Sequence, residues 1–224
     1  MARSSDPSRR NPFDVRAATQ TERVALANRL DSLTDAQWAQ PSLCGDWSVE
    51  QVVAHLTAAA SSGPLRWMGS VIRARFDFDE HNARRMVEQR GATPAETLAK
   101  FHNILTSTTS PFGPSEAWLG EVVVHSQDIL RPLGIAYTPP IVMTTHLARF
   151  LARTNFTVAS KKAIHGLHLE AVDGPFSTGV GPQVSGPTIA LVMAMAGRET
   201  YCDDLTGPGV DTLRARSQAA GPRS

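Results

Sequence analysis

The run from Ser48 to Ala60 constrains the fold more than any other stretch of the chain. Ser48-Val-Glu-Gln51 has the form of a capping box, in which the serine hydroxyl and the glutamine amide satisfy backbone donors left open by the first helical turn. The helix that it opens places Val52, His55, Leu56 and Ala59 on one face, and that face must point inward. A histidine on an inward apolar face needs a polar partner, and the flanking sequence offers further helices that can supply one.

From Phe13 to Leu33, apolar residues at Val15, Val24, Leu26, Leu30 and Leu33 follow an incomplete helical period. Thr34, Asp35 and Trp38 suggest a short helical turn before a loop through Pro41 and Gly45. A helix is predicted from Leu65 to about Arg90, stopped by Gly91. Thr93-Pro-Ala-Glu96 is a second capping box with proline at the first helical position, opening a helix to about Leu105. After a loop from Ser110 to Pro114, a helix runs from about Ser115 to Leu133, with Gly134 as its stop. Pro139 and Pro140 introduce the last of this series, from about Val142 to Arg153. Beyond Ile164 glycine and proline become frequent, and Leu167 to Val172 alternates as a strand does. One apolar helix, Thr188 to Ala196, ends at Gly197, and Gly207-Pro-Gly209 makes a turn. The pattern is a helical bundle followed by a smaller α/β part.

Composition removes several functions. No apolar run is long enough to span a bilayer. The N-terminal MARSSDPSRRNP lacks the apolar stretch of a secretory signal; it and the closing SQAAGPRS read as frayed arms. With 22 basic and 21 acidic residues, the net charge of +1 offers little to a nucleic acid. Arg66, Arg73, Arg75, Arg84, Arg85 and Arg90 crowd one segment, which reads as a solvated helix face or, more sharply, as attraction of an acidic small molecule toward a nearby cleft. Cys44 and Cys202 make no disulfide framework and point to a reducing cytoplasm. Cys44 reads as a small packing residue, although its place before a helix would also suit a reactive thiol.

The chemistry concentrates at Glu121 and His125. Four residues apart on one helix, they stack on the same face, and both are metal-ligand types. Val122, Val123 and Val124 lie between them, so the pair sits on an apolar helix, where a carboxylate needs a cation or donors. His55 meets the same condition on its own helix. Ligands projecting from bundle helices into the core are how bundle metal sites are built, and two histidines with one carboxylate leave an open coordination position. A Glu121–His125 helix pair beside an ordinary hydrogen-bonded His55 would also satisfy the spacing. Asp128, three residues after His125, either accepts the free ring N–H of a liganding histidine or serves the helix surface. Gln127 has no assigned role. His165 and His168 read as strand or loop histidines, Asp77, Asp79, Glu80 and His81 as a solvated surface, and Trp47 and Trp67 as packing residues or pocket walls.

Two blocks resemble a known family. Trp38, Pro41-Ser-Leu-Cys44, Asp46-Trp-Ser-Val49 and Val52-Val-Ala-His-Leu56 are similar to the N-terminal signature of the mycothiol-dependent maleylpyruvate isomerase family. Gly120-Glu-Val-Val-Val-His-Ser-Gln-Asp-Ile129, with Arg131-Pro-Leu-Gly134, resembles its second signature. The resemblance implies a mainly α chain: a DinB-like antiparallel four-helix bundle over residues 12–157, then a small α/β, sterol-carrier-like domain over 158–216. Disordered ends are expected at 1–11 and 217–224.

It further implies that His55, Glu121 and His125 bind a divalent metal, zinc by preference, with mycothiol as thiol cosubstrate. A metal with an open position lowers the pKa of a bound thiol, and the resulting thiolate would attack an electrophilic small molecule. In the isomerase reaction it adds to a conjugated double bond, the bond rotates, and elimination gives the trans isomer. Other members resemble thiol S-transferases, so the substrate stays open. An anionic substrate would need a cation, for which Arg198 is the candidate catalytic residue, with a helix-end or surface role as its alternative. The expected partners are therefore a small-molecule thiol and an electrophile, with no nucleic acid or membrane, in a monomer or homodimer. Two other functions fit the same residues: a non-catalytic, metal-stabilised ligand- or partner-binding protein, and a zinc hydrolase, which would need a further general base.

Overall fold

The computed structural model describes residues 13–61, 86–109 and 113–220. Its helices start where the capping chemistry places them. Asp14 accepts from the backbone N–H groups of Arg16 and Ala17 to open α1 (Val15–Leu30). Thr34 and Gln37 form a capping box for the short α2 (Asp35–Trp38). Gln51 Oε1 accepts from Ser48 N at 2.8 Å, and Ser48 Oγ from Gln51 N at 3.4 Å, at the start of α3 (Val49–Ser61). Thr93 caps α4 (Pro94–His102), while Glu96 reaches one residue further back, to Ala92 N.

Helices α5 (Ser115–Leu130) and α6 (Ile141–Leu151) follow. The turn after α5 carries Gly134 at φ +68°, a conformation that favours glycine. The expected helix from Leu65 to Arg90 lies largely outside the described residues, as do the six arginines of its segment other than Arg90, the group from Asp77 to His81, Trp67 and the 1–11 arm.

Helices α1, α3, α4 and α5 pack as a bundle. Leu26 and Leu30 of α1, Val52, Val53 and Leu56 of α3, Phe101 of α4, and Val122 and Ile129 of α5 form its core. The i, i+4 pairs Leu26/Leu30 and Val52/Leu56 explain why these helices turn single faces inward. The opposite side of α5, at Leu119, Val123 and Val124, enters a second core shared with α6 and the C-terminal elements.

After a turn of helix, α7 (Ser160–Ala163), a three-stranded sheet runs in the order β2-β1-β3. Strand β1 (His168–Ala171) pairs antiparallel with β2 (Ser177–Thr178) and parallel with β3 (Gln183–Gly186). Helix α8 (Thr188–Met195) is buried along its whole length, as a helix apolar all round must be. It packs on α6 and so ties the C-terminal part to the bundle. A 3₁₀ segment at Glu199–Asp204 and α9 (Val210–Ala220) complete the chain.

The expected disordered tail from residue 217 is corrected here. Helix α9 continues to Ala220, and Ser217 is buried, its hydroxyl donating to Ala194 O at 2.7 Å. Among the described residues no helix is long and apolar enough to cross a membrane.

Candidate metal centre

His55 projects from α3 and Glu121 and His125 from successive turns of α5. His55 Nε2 lies 2.6 Å from Glu121 Oε1, and His125 Nε2 lies 3.5 Å from the same oxygen. One ligand atom from each of the three falls within 4.8 Å of the others. The two imidazole rings meet edge to face, with centroids 5.1 Å apart, and the Trp47 ring centroid lies 5.1 Å from that of His55. The sequence-predicted trio is therefore brought together.

The donor set fits a cation. Tetrahedral ligands about 2.0–2.1 Å from zinc stand roughly 3.3–3.5 Å from one another. The His125–Glu121 pair has that spacing; the His55–Glu121 pair is closer, as a direct hydrogen bond. Burial alone would raise the Glu121 carboxyl, but hydrogen bonds from His125 and His55, with their charge, outweigh it and hold the group well below the usual carboxylate range.

Behind His125 stands a second layer. His125 Nδ1 is 2.9 Å from Asp128 Oδ2. An ionised carboxylate only accepts, so Nδ1 carries the hydrogen and Nε2 turns toward Glu121. Asp128 has no exposed surface, and it also accepts from Arg198 Nε at 3.0 Å and Nη2 at 2.6 Å. Burial would raise the Asp128 carboxyl; the Arg198 charge and the hydrogen bonds from His125 and Arg198 pull it below its ordinary value. Burial likewise opposes protonation of His125, yet its hydrogen bonds with Asp128, Cys44 and Glu121 hold it well above the ordinary histidine value.

Arg198 is buried, not at the surface. Its Nη1 donates to Ala196 O at 2.8 Å, so all three guanidinium nitrogens are engaged. Its charge is committed to Asp128, the carboxylate that meets His125 Nδ1, across the junction of bundle and C-terminal part. Asp128 is thus a ring-orienting carboxylate rather than a helix-surface residue.

Cys44 is nearer the site than its sequence context suggested. The loop after α2 is pinned by Ser42 N to Trp47 O (2.9 Å) and by Leu43 N to Asp128 O (3.0 Å). It sets the buried Cys44 Sγ 4.0 Å from Arg198 Nη2 and within reach of His125. Cys44, His125 and Asp128 form a second set of three donors within 4.8 Å. Both Asp128 oxygens are already occupied by His125 and Arg198, so this set supports the first rather than competing with it. Gln127, unassigned from sequence, bridges Tyr137 O and the Tyr201 hydroxyl. His168 lies in β1 and His165 in the turn before it, away from the cluster.

Fold and site together describe a helical-bundle protein with a histidine–carboxylate cluster that could hold a metal ion. Residues 19–110 match the family model described as the mycothiol maleylpyruvate isomerase N-terminal domain. The matched segment contains His55; Glu121 and His125 lie beyond it. Two solved structures share the fold over 94% of this chain and 95% of theirs. One is a crystal structure of the mycothiol-dependent maleylpyruvate isomerase, at 17% identity and a TM-score of 0.59. The other is a histidine-to-alanine mutant of the mycothiol-dependent maleylpyruvate isomerase, at 16% identity and 0.60. No curated protein matches the chain.

Proposed function

We propose that this chain is a metal-dependent enzyme that uses mycothiol as its thiol cosubstrate, in an isomerase or S-transferase reaction on an electrophilic small molecule. The observation that carries this reading is the convergence of His55 Nε2, Glu121 Oε1 and His125 Nε2 in a chain whose residues 19–110 match the isomerase family's N-terminal model. A DinB-like bundle over residues 12–157 would carry the centre, with a sterol-carrier-like part over 158–216 closing it from one side. Two unpaired, buried thiols, Cys44 and Cys202, suit a reducing cytoplasm.

Zinc bound there would act as a Lewis acid that favours the thiolate of a bound thiol at neutral pH. The chain's own residues set up that chemistry. His55, Glu121 and His125 would hold the ion, and three protein ligands would leave a coordination position for the thiol. Asp128 keeps the His125 hydrogen on Nδ1, so that Nε2 presents its lone pair to the centre. Arg198 fixes Asp128 and balances its charge in a buried setting. Trp47, against His55, limits that ring's motion.

The test is consumption of mycothiol by the purified protein against a panel of electrophiles that includes maleylpyruvate. Turnover that requires both thiol and metal supports the enzyme. Full zinc occupancy without thiol-dependent turnover of any substrate would favour the metal-stabilised binding protein.

A further inference from the structure

Arg23 poses a problem that the metal centre does not solve. It is only 6% exposed, and its Nη1 donates to Ile104 O at 3.2 Å and Ser107 O at 2.8 Å. Neither acceptor is charged. Among the described residues no carboxylate pairs with this guanidinium, and nothing accepts from its Nε or Nη2. Burial accordingly pulls its pKa below the ordinary arginine value. A buried cation without an anion is strongly unfavourable unless something supplies the missing charge.

The surroundings indicate where that charge would come from. Arg23 lines a narrow cleft between α1, α3 and α5 that is partly continuous with solvent. Leu56, Val122, Trp118 and Glu121 line it as well. Trp118 Nε1 is buried and has no hydrogen-bond partner among the described residues. Trp118 and Glu121, three residues apart on α5, share one helix face. An unpaired guanidinium, an unpaired indole N–H, apolar walls and a residue of the metal centre therefore meet in one space.

We propose that this cleft is the anion subsite of the active centre and takes a small carboxylate substrate, received by Arg23 and the Trp118 N–H. The planar guanidinium fork matches a carboxylate, and the indole N–H adds a donor at no loss, since it has no partner to give up. Leu56 and Val122 face the substrate's carbon skeleton, and Glu121 marks the end nearest the metal centre. The inference rests on the reading of His55, Glu121 and His125 as that centre. It also assigns to Arg23 the substrate-binding role that sequence gave to Arg198, whose nitrogens are taken. Because the Glu121 charge repels an anion in the same cleft, carboxylate binding should strengthen when a cation neutralises Glu121.

The experiment is calorimetric titration of maleate into the full chain, zinc-loaded and chelator-treated, for the wild type, Arg23→Met and Trp118→Phe. Removing a hydrogen bond to a charged group costs roughly tenfold to a hundredfold in affinity. Maleate should bind the wild type, about tenfold more weakly to Trp118→Phe and not measurably to Arg23→Met, with zinc content unchanged in both. Since Arg23 also anchors backbone carbonyls, Arg23→Met could unfold. Trp118→Phe breaks no bond of the free protein, and Arg23→Lys keeps the charge and should keep part of the binding. Wild-type affinity retained in Trp118→Phe and Arg23→Met, or no maleate binding to the wild type, overturns the subsite while leaving the metal reading intact. Arg23-dependent maleate binding by a wild type that takes up no zinc would do the reverse.

Discussion

Replacing Asp128 with asparagine exposes how the centre is built. The carboxylate takes a hydrogen from His125 Nδ1 and two from Arg198, in a site with no exposed surface. Asparagine keeps the shape but can accept at only one of its two ends. If its oxygen stays with Arg198, its NH₂ group faces His125 Nδ1, which must then give up its hydrogen and accept. The ring hydrogen moves to Nε2, the atom needed for the metal. Losing an orienting partner of a metal-bound histidine costs about 10–100-fold in metal affinity. Stability also falls, because the Arg198 guanidinium remains buried without its counter-charge; about 3 kcal/mol is the expected scale for a broken buried pair. Against a typical domain stability of about 5–15 kcal/mol, the variant should still fold. A chelator-competition titration with zinc and a urea unfolding curve measure the two effects. Wild-type zinc affinity in Asp128→Asn would refute the tautomer argument.

Other expectations follow from the same structure. Glu22 is fully buried in α1, where burial raises its carboxyl to about 7 against the lowering effect of the Tyr137 hydrogen bond. A native pKa above the unfolded value means that Glu22's contribution to stability is complete below about pH 4.5 and is lost as pH rises through 7. At about 1.4 kcal/mol per unit this amounts to about 3 kcal/mol. Unfolding curves should therefore show Glu22→Gln gaining on the wild type between about pH 5 and 8, and a gap independent of pH would contradict the assignment. Gly181 has φ +136°, and a Cβ there would lie 2.1 Å from Gly166 O, so Gly181→Ala should lower the melting temperature by several degrees. Arg198→Lys should weaken zinc binding through Asp128, since ammonium cannot reproduce the two-pronged contact; a loss confined to substrate KM, with zinc affinity unchanged, would contradict its positioning role.

The clustering of His55, Glu121 and His125 was legible because helical spacing is local: Glu121 and His125 are one turn apart, and the apolar neighbours of His55 fix which way it points. What lies behind the trio was harder to read. Arg198 follows Ala196-Gly197 in a sequence that looks like any helix end, and its partner Asp128 is 70 residues away on another element. The nearness of Cys44 to His125 gave no signal, because it depends on a loop tied to the backbone of Asp128. Arg23, in the middle of α1, drew no reading from sequence, because its acceptors Ile104 O and Ser107 O come from the chain after α4. Helix α9 was missed for a related reason. Its buried positions Val210, Leu213 and Ser217 keep a helical period, but one of them is polar and Arg214 and Arg216 stand between them. The capping box at Ser48 and the Thr93 cap were readable at once, since each needs only four consecutive residues; the return bond of Glu96 goes to Ala92 N instead of Thr93 N.

Elemental analysis of the purified full-length protein tests the central claim most directly. His55, Glu121 and His125 as one centre predict about one zinc, or another divalent ion, per chain. That metal should be lost in His55→Ala and in Glu121→Ala, while both variants keep the helical circular dichroism of the wild type. A wild-type protein that contains no metal and takes up none on incubation with zinc would contradict it.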